Sequence, residues 1–440
     1  MIQGNRPIGI DLFCGAGGMS LGFEQAGFDI VASVDVDPIH CATHEFNFPN
    51  CKSICASVVD LTGKRIRSDA SIGTRDVDVV FGGAPCQGFS MIGKRAIDDP
   101  RNQLVFHFVR LIKEIRPKFF VFENVKGLTL GNHRKLLDEM LDELEGVGYK
   151  VQRDYKVLNA ANFGVPQDRQ RLFLIGSRRG IALPEYPSAQ TAYHKRAKGG
   201  QLSLGLPNVP TVWEAIGDIP DADKFKTLLD IDEVKVKMGK PSVYAAKLRG
   251  DVKDPHDFSH PRDFDSEVIT SSMRTVHTDE SIGRFSKTTP GKSEPISRFL
   301  RLNPQGVSNT IRAGTDSQRG AHTSPRPIHP KYSRVITVRE AARLHSYPDW
   351  FRFHRTKWHG FRQVGNSVPP LLARAVASKL IQALDINPKA PSRALPEGDL
   401  HLLGMNMSEA AEYYGVPSTV IPQRTRKPDK RRAPSVEVEG

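Results

Sequence analysis

The chain has 440 residues, a formal net charge of +13 and 39% hydrophobic residues. No stretch approaches the ~18 apolar residues of a membrane span, and five cysteines behind an N-terminus with no separate apolar region argue against a disulfide-stapled secreted fold. A soluble, cytoplasmic protein of more than one unit is expected, with a basic balance that suits a polyanionic partner.

In chain order, IGIDLF (8–13) reads as a buried strand, followed by a glycine turn and a helix from Gly18 to Ala26. The turn lacks the third spaced glycine of the dinucleotide fingerprint, so it reads as a nucleoside site, with a dinucleotide fold or a purely structural turn still open from this motif alone. Phe13 offers a flat apolar face, Gly15 and Gly17 allow close approach to the backbone, and Asp35, ending strand DIVASVDV (29–36), can bond ribose hydroxyls. His40, Cys41, His44, Cys51 and Cys55 follow, but no second paired set lies at zinc-finger spacing, so no metal is expected. A helix over Pro38 to Glu45 leads on to strand VDVVFG (77–82) and the loop GGAPCQGFS (82–90). Beyond it come a helix from Gln103 to Ile115, ended by Pro117, strand KFFVFEN (118–124), and a helix from His133 to Glu145. This alternation specifies a doubly wound, mostly parallel sheet with ligands at the C-terminal ends of its strands.

If strands 77–82 and 118–122 are neighbours, Cys86 and Glu123 emerge on one edge with the glycine turn, a nucleophile beside an acid. A free thiol is only ~3% thiolate at pH 7, so nearby cations must help. Gln167-x-Arg169-x-Arg171 is the candidate source, because alternate strand residues face one way. Pro85 fixes the backbone before Cys86.

The texture changes near Gly180. Residues 181–333 are rich in Pro, Gly, Ser and Lys, without clear periodicity, and helical texture returns at 337–348 and 369–384. The expected division is 1–180, an insertion at 181–333, a return at 334–387, and a basic, largely flexible tail at 388–440. Within the tail, MSEAAEYYGVPSTVI (407–421) resembles the first half of a helix-turn-helix with Ser408 as N-cap, although Pro422 would break the second helix. RTRKPDKRR (424–432) can touch phosphates.

Eight stretches, in family order, resemble a cytosine-C5 DNA methyltransferase of the bacterial restriction–modification type. They are DLFCGAGG (11–18), VDVD (34–37), VDL (59–61), GGAPCQGFS (82–90), ENVKG (123–127), QDRQR (167–171), RVITVREAARLHSYP (334–348) and QVGNSVPP (363–370). The resemblance implies the S-adenosylmethionine-dependent methyltransferase fold with residues 181–333 as a smaller target-recognition domain. It implies Phe13 stacking on the cofactor adenine beside Gly15 and Gly17, Asp35 on the ribose, and Asp60 on the adenine amino group. Leu104 would line the pocket, and Asn366 and Ser367 would meet the methionine end. Val36 stands where some members carry an aromatic ring, so stacking is expected from one side, with about 1 kcal/mol less aromatic contact.

The resemblance further implies that Cys86 attacks C6 of a flipped cytosine and that Glu123 engages N3 and the exocyclic amine. Arg169 would orient the base and favour the thiolate, and Arg171 would brace the site or meet phosphate. Duplex DNA is the expected partner, through Gln87, Ser90 and Lys94 of the cysteine loop and Arg312 in Thr310-Ile311-Arg312. A cognate restriction endonuclease acting on the same site, a monomeric state and association with the nucleoid are also expected. Enzymes that methylate tRNA cytosine share the core, but their Cys-Phe-Thr signature is absent from the insertion. A regulatory protein on an inactive scaffold would not need Cys86, Glu123 and Arg169 together.

Overall fold

A strand covered by helices on both faces buries every side chain, so it reads as a continuous apolar run. Four such runs form β1 (Ile8–Leu12), β2 (Asp29–Asp35), β4 (Val79–Gly82) and β5 (Phe119–Val125), and a less apolar one forms β3 (Lys52–Cys55). The computed structural model describes residues 6–84, 103–131, 133–193, 205–314 and 326–421. Helices α1 (Gly18–Ala26), α2 (Pro38–Asn47), α3 (Gly63–Asp69) and α4 (Gln103–Ile115) alternate with the strands. After α5 (His133–Gly146) the chain returns through β6 (Tyr149–Val151), β7 (Lys156–Asn159) and β8 (Gln170–Arg178). The order is β3-β2-β1-β4-β5-β8-β6, with β7 also paired to β8. The pairs from β3 to β5 are parallel and those of β8 antiparallel.

Each face of the sheet has its own core. Phe23 of α1 stacks on Phe81 of β4 with ring centroids 3.8 Å apart, and on the opposite face Phe108 of α4 meets Phe122 of β5 at 5.2 Å. Fully burying such a ring is worth about 1.5–3 kcal/mol, which exceeds any strand propensity.

Among the described residues the insertion carries short elements: α6 (Val212–Ile216), β9 (Val234–Lys235), α7 (Val243–Leu248), β10 (Val268–Ile269) and α8 (Asp279–Lys287). The chain then forms α9 (Val338–Leu344), α10 (Lys357–Asn366), α11 (Pro370–Ala383) and α12 (Met407–Tyr413). The insertion is continuous with the main core: Val212, Ile216, Ile269 and Ile311 share one apolar cluster with α9 and α11. Buried arginines around α9 fasten the join. Arg334 pairs with Asp221 at 2.9 Å and Glu340 at 2.8 Å, and Arg343 with Asp218 at 2.8 Å and Asp349 at 2.6 Å.

Part of the tail, including its short helix, is docked on the main body. Leu402, Leu403, Met405 and Ala410 pack on Ile39, Ala42 and Phe46 of α2. The hydroxyls of Tyr413 and Tyr414 donate to the two carboxylate oxygens of Glu45, each at 2.8 Å. The N-cap of α12 is Asn406, whose side chain accepts from the amides of Ser408 and Glu409; Ser408 is therefore inside the helix. The face of α12 is taken by α2 rather than by a second helix of a DNA-reading motif. The run RTRKPDKRR lies outside the described residues. Among the described residues, no helix is long and apolar enough to cross a membrane.

Candidate active site

The C-terminal ends of β1, β2, β4 and β5 carry the predicted residues. Phe13 leaves β1 with a left-handed φ of 64°, costly for a bulky side chain, and the turn continues through Gly15 at 54° and Gly17 at 100°. Asp35 ends β2 and holds this turn: its two oxygens accept from the amides of Gly15 and Asp37, both at 2.8 Å. His40 Nδ1 lies 3.6 Å from Asp35 Oδ1. Burial alone would raise this carboxyl, but His40 and the two amides outweigh it and hold it below the usual range. Phe13 and Leu104, both half-buried, pack against the same apolar cluster. Val36 is half-buried and Asp60 exposed.

The turn also meets the chain's last motif. A Cβ on Gly18 would collide with Val368, Tyr347 and Ser367. Asn366, the last residue of α10, is exposed, and Ser367 Oγ donates to the Val364 carbonyl at 2.8 Å. Beneath the turn, Ser20 Oγ donates to Asp11 at 2.6 Å and lies 2.9 Å from His44 Nε2. Burial pushes Asp11 up to about 8 and His44 down to about 3. Cys14, Cys41, Cys51 and Cys55 are buried thiols. Among the described residues no group of His, Cys, Asp and Glu is placed to hold a metal ion.

The second half of the site is built on β5 and β8. Glu123 is 8% exposed, and Arg171 Nε meets its Oε1 at 2.9 Å. Its other oxygen lies against Gly83, where a Cβ would strike it and push the carboxylate aside. Burial pushes Glu123 above the usual carboxylate range, although Arg171 and then Arg169 pull it down. Asn124 Nδ2 donates to the Ala84 carbonyl at 3.2 Å, fixing the chain immediately before Pro85. Pro85, Cys86, Gln87, Ser90 and Lys94 lie outside the described residues.

The two arginines have different partners. Arg171 is the one that reaches Glu123, whereas Arg169, 1% exposed, donates to backbone carbonyls of Ile311 at 2.9 Å, Gly365 at 2.8 Å and Ser367 at 2.7 Å. Gln167 completes this clamp: its Nε2 is 2.9 Å from His345 Nδ1, and its Oε1 accepts from Ile311 N at 3.1 Å. His345 Nε2 lies 3.1 Å from the Ser367 carbonyl. A neutral imidazole with its proton on Nε2 satisfies both contacts.

A family model for C-5 cytosine-specific DNA methylases matches residues 9–382. The chain belongs to this family. It is 59% identical to the Type II methyltransferase M.XorII of Xanthomonas oryzae pv. oryzae, over 97% of this chain and 96% of that protein. To the Type II methyltransferase M1.HphI of Haemophilus parahaemolyticus it is 35% identical, over 85% and 86%. A crystal structure of a prophage-encoded chain described as a DNA modification methyltransferase (E. coli) superposes with a TM-score of 0.68 at 31% identity, covering 86% of this chain and 100% of that one. Family and fold together imply S-adenosylmethionine as the methyl donor.

Three features of this methylase escape the residue-by-residue sequence reading: the Asn124–Ala84 bond, the close fit of Gly83 to Glu123, and the Gln167–His345–Ser367 connection. Their residues all stand in the quoted motifs or beside them. Arg312, expected at a base edge, is exposed at the end of the segment woven onto Gln167 and Arg169.

Proposed function

We propose that this methylase flips a target cytosine out of duplex DNA, attacks C6 with Cys86 and methylates C5, as the modification partner of a restriction endonuclease. Cytosine C5 is too electron-poor to take a methyl group directly. A bond from the Cys86 sulfur to C6 moves the C5–C6 electron pair onto C5, provided N3 is protonated or strongly hydrogen-bonded. The observation that carries this reading is Glu123, a buried carboxyl pushed up in pKa, held by Arg171 and pressed on the glycine that precedes the cysteine loop. Burial makes such a group take up a proton more readily than a free carboxyl, and a protonated carboxyl can donate to N3. Once C5 carries its methyl group, a base takes the C5 proton, the pair returns to C5–C6 and sulfur leaves.

S-adenosylmethionine supplies the methyl group when bound, and the residues fit it. Phe13, Val36 and Leu104 offer half-buried apolar faces for an adenine, and Asp60 is exposed for its amino group. Asp35 Oδ2, which accepts the Gly15 amide, keeps a second lone pair for a ribose hydroxyl. The Gly15–Gly17 turn, Asn366 and Ser367 would take the methionine end. C6 cannot be reached within the stack, so the base must leave it at a cost of a few kcal/mol, offset by backbone contacts. Gln87, Ser90, Lys94 and Arg312 are assigned to DNA, and Pro85 limits the backbone before Cys86.

DNA in which 5-fluorocytosine replaces cytosine tests the covalent step. Fluorine cannot leave as a proton does, so the parent chain should remain bonded to DNA on a denaturing gel. The same adduct from Cys86→Ala would contradict the assignment.

A further inference from the structure

Arg326 and Lys357 form a cationic cluster that the chemistry above does not use. The Arg326 guanidinium carbon lies 5.0 Å from the ring centroid of Phe361. Phe361 is four residues beyond Lys357 on α10, so both cations share one helix face. Lys357 Nζ donates to the Arg274 carbonyl at 2.6 Å. Among the described residues, no carboxylate lies within ion-pair distance of Arg326 or Lys357, and Asp223 is already directed at Arg274, 3.6 Å away. Arg326 Nε is buried without a hydrogen-bond partner among the described residues.

The helix beneath adds to the excess. Its N-cap Thr356 makes no capping bond, no acid stands in its first turn, and Lys357 occupies the first position, where the helix dipole disfavours a cation. Burial, and then Arg326, push the Lys357 amine down. His277 beside them is pushed down by burial despite Asp223, with Arg334, Lys357 and Arg326 adding to the shift. The arrangement is complementary to an anion.

The location indicates which anion. The backbone of Arg312 and Ala313 presses on Gly365, one turn, about 6 Å, along α10 from Phe361. Arg312 and Arg326 thus flank the same stretch of helix. We propose that Arg326, Lys357 and the open first turn of α10 bind one backbone phosphate of the DNA duplex. The proposal rests on duplex DNA being the substrate.

Duplex affinity measured against salt concentration tests it, using the full chain, Arg326→Ala, Lys357→Ala, the double variant and Arg326→Lys. Losing one phosphate contact should lower the slope of log K against log salt by about 0.9. The drop should be similar in both single variants and the double, equal for specific and non-specific duplexes, and reversed by Arg326→Lys. S-adenosylmethionine affinity and melting temperature should stay near the parent's. A slope unchanged in the double variant would overturn the proposal, as would variants that lose only stabilisation by inorganic phosphate. A parent chain that binds no duplex would overturn the substrate reading itself.

Discussion

At the residue scale, chemistry and architecture fall on different side chains of one motif. Glu123 is costly to ionise where it lies, because burial outweighs two arginines. Replacing it by Gln should cut methylation by about 10²–10⁴-fold while leaving cofactor affinity near the parent's. Titration calorimetry alongside a methylation assay checks this, and equal losses in both would mean that the role is misassigned. Arg171→Ala should lower turnover with little change in melting temperature. Arg169→Ala should instead destabilise the chain by roughly 3–5 kcal/mol, since three carbonyls lose a buried charged donor. Denaturant unfolding of the two variants separates these outcomes. The sequence places both arginines in one motif. It does not show which meets Glu123, because their partners come from β5, the insertion and the stretch after α10, all distant in the chain.

At the element scale, the parallel strands and α1, α2, α4 and α5 are legible because full burial leaves long apolar or periodic runs. β3 (KSIC), with an exposed lysine and a serine among its four residues, leaves a weaker signal than the all-buried β4, and the antiparallel β6–β8 return is defined by pairing rather than by composition. The tail is legible as a helix but not as a docked one. Its anchors Leu402, Leu403 and Met405 find their apolar surface on α2, far back in the chain. That helix starts at Asp37 and carries His40, so the tail braces the element beside Asp35. Leu403→Ala, at a site 2% exposed, should cost about 2–5 kcal/mol. A melt in which Leu403→Ala matches the parent would show that the docked segment contributes nothing.

At the scale of the whole molecule, buried titrating groups set the pH of greatest stability. His329 Nδ1 accepts from the amides of Lys331 and Tyr332, and His345 Nδ1 faces the Gln167 amide, so both rings are neutral. Burial pushes His329 down to about 4, His44 to about 3, and His345 well below its ordinary value. The unfolded chain takes up these protons below about pH 6.5, so stability should fall on acidification by about 1.4 kcal/mol per pH unit for each. Asp11 acts oppositely. With its carboxyl raised to about 8, its contribution is complete only at acid pH and is lost as pH rises to that value. Stability should therefore peak near pH 6.5 and decline toward pH 8 by about 1.4 kcal/mol per pH unit through Asp11. Urea midpoints that do not fall between pH 6.5 and 5 would contradict this.

The central claim is that Cys86, acting with Glu123, methylates C5 of cytosine in DNA. Bisulfite sequencing of a plasmid from cells expressing this chain tests it most directly. The parent should protect cytosines in one recurring sequence context, and Cys86→Ala should protect none. An unmodified plasmid from the parent, or the same protection from Cys86→Ala, would contradict the account.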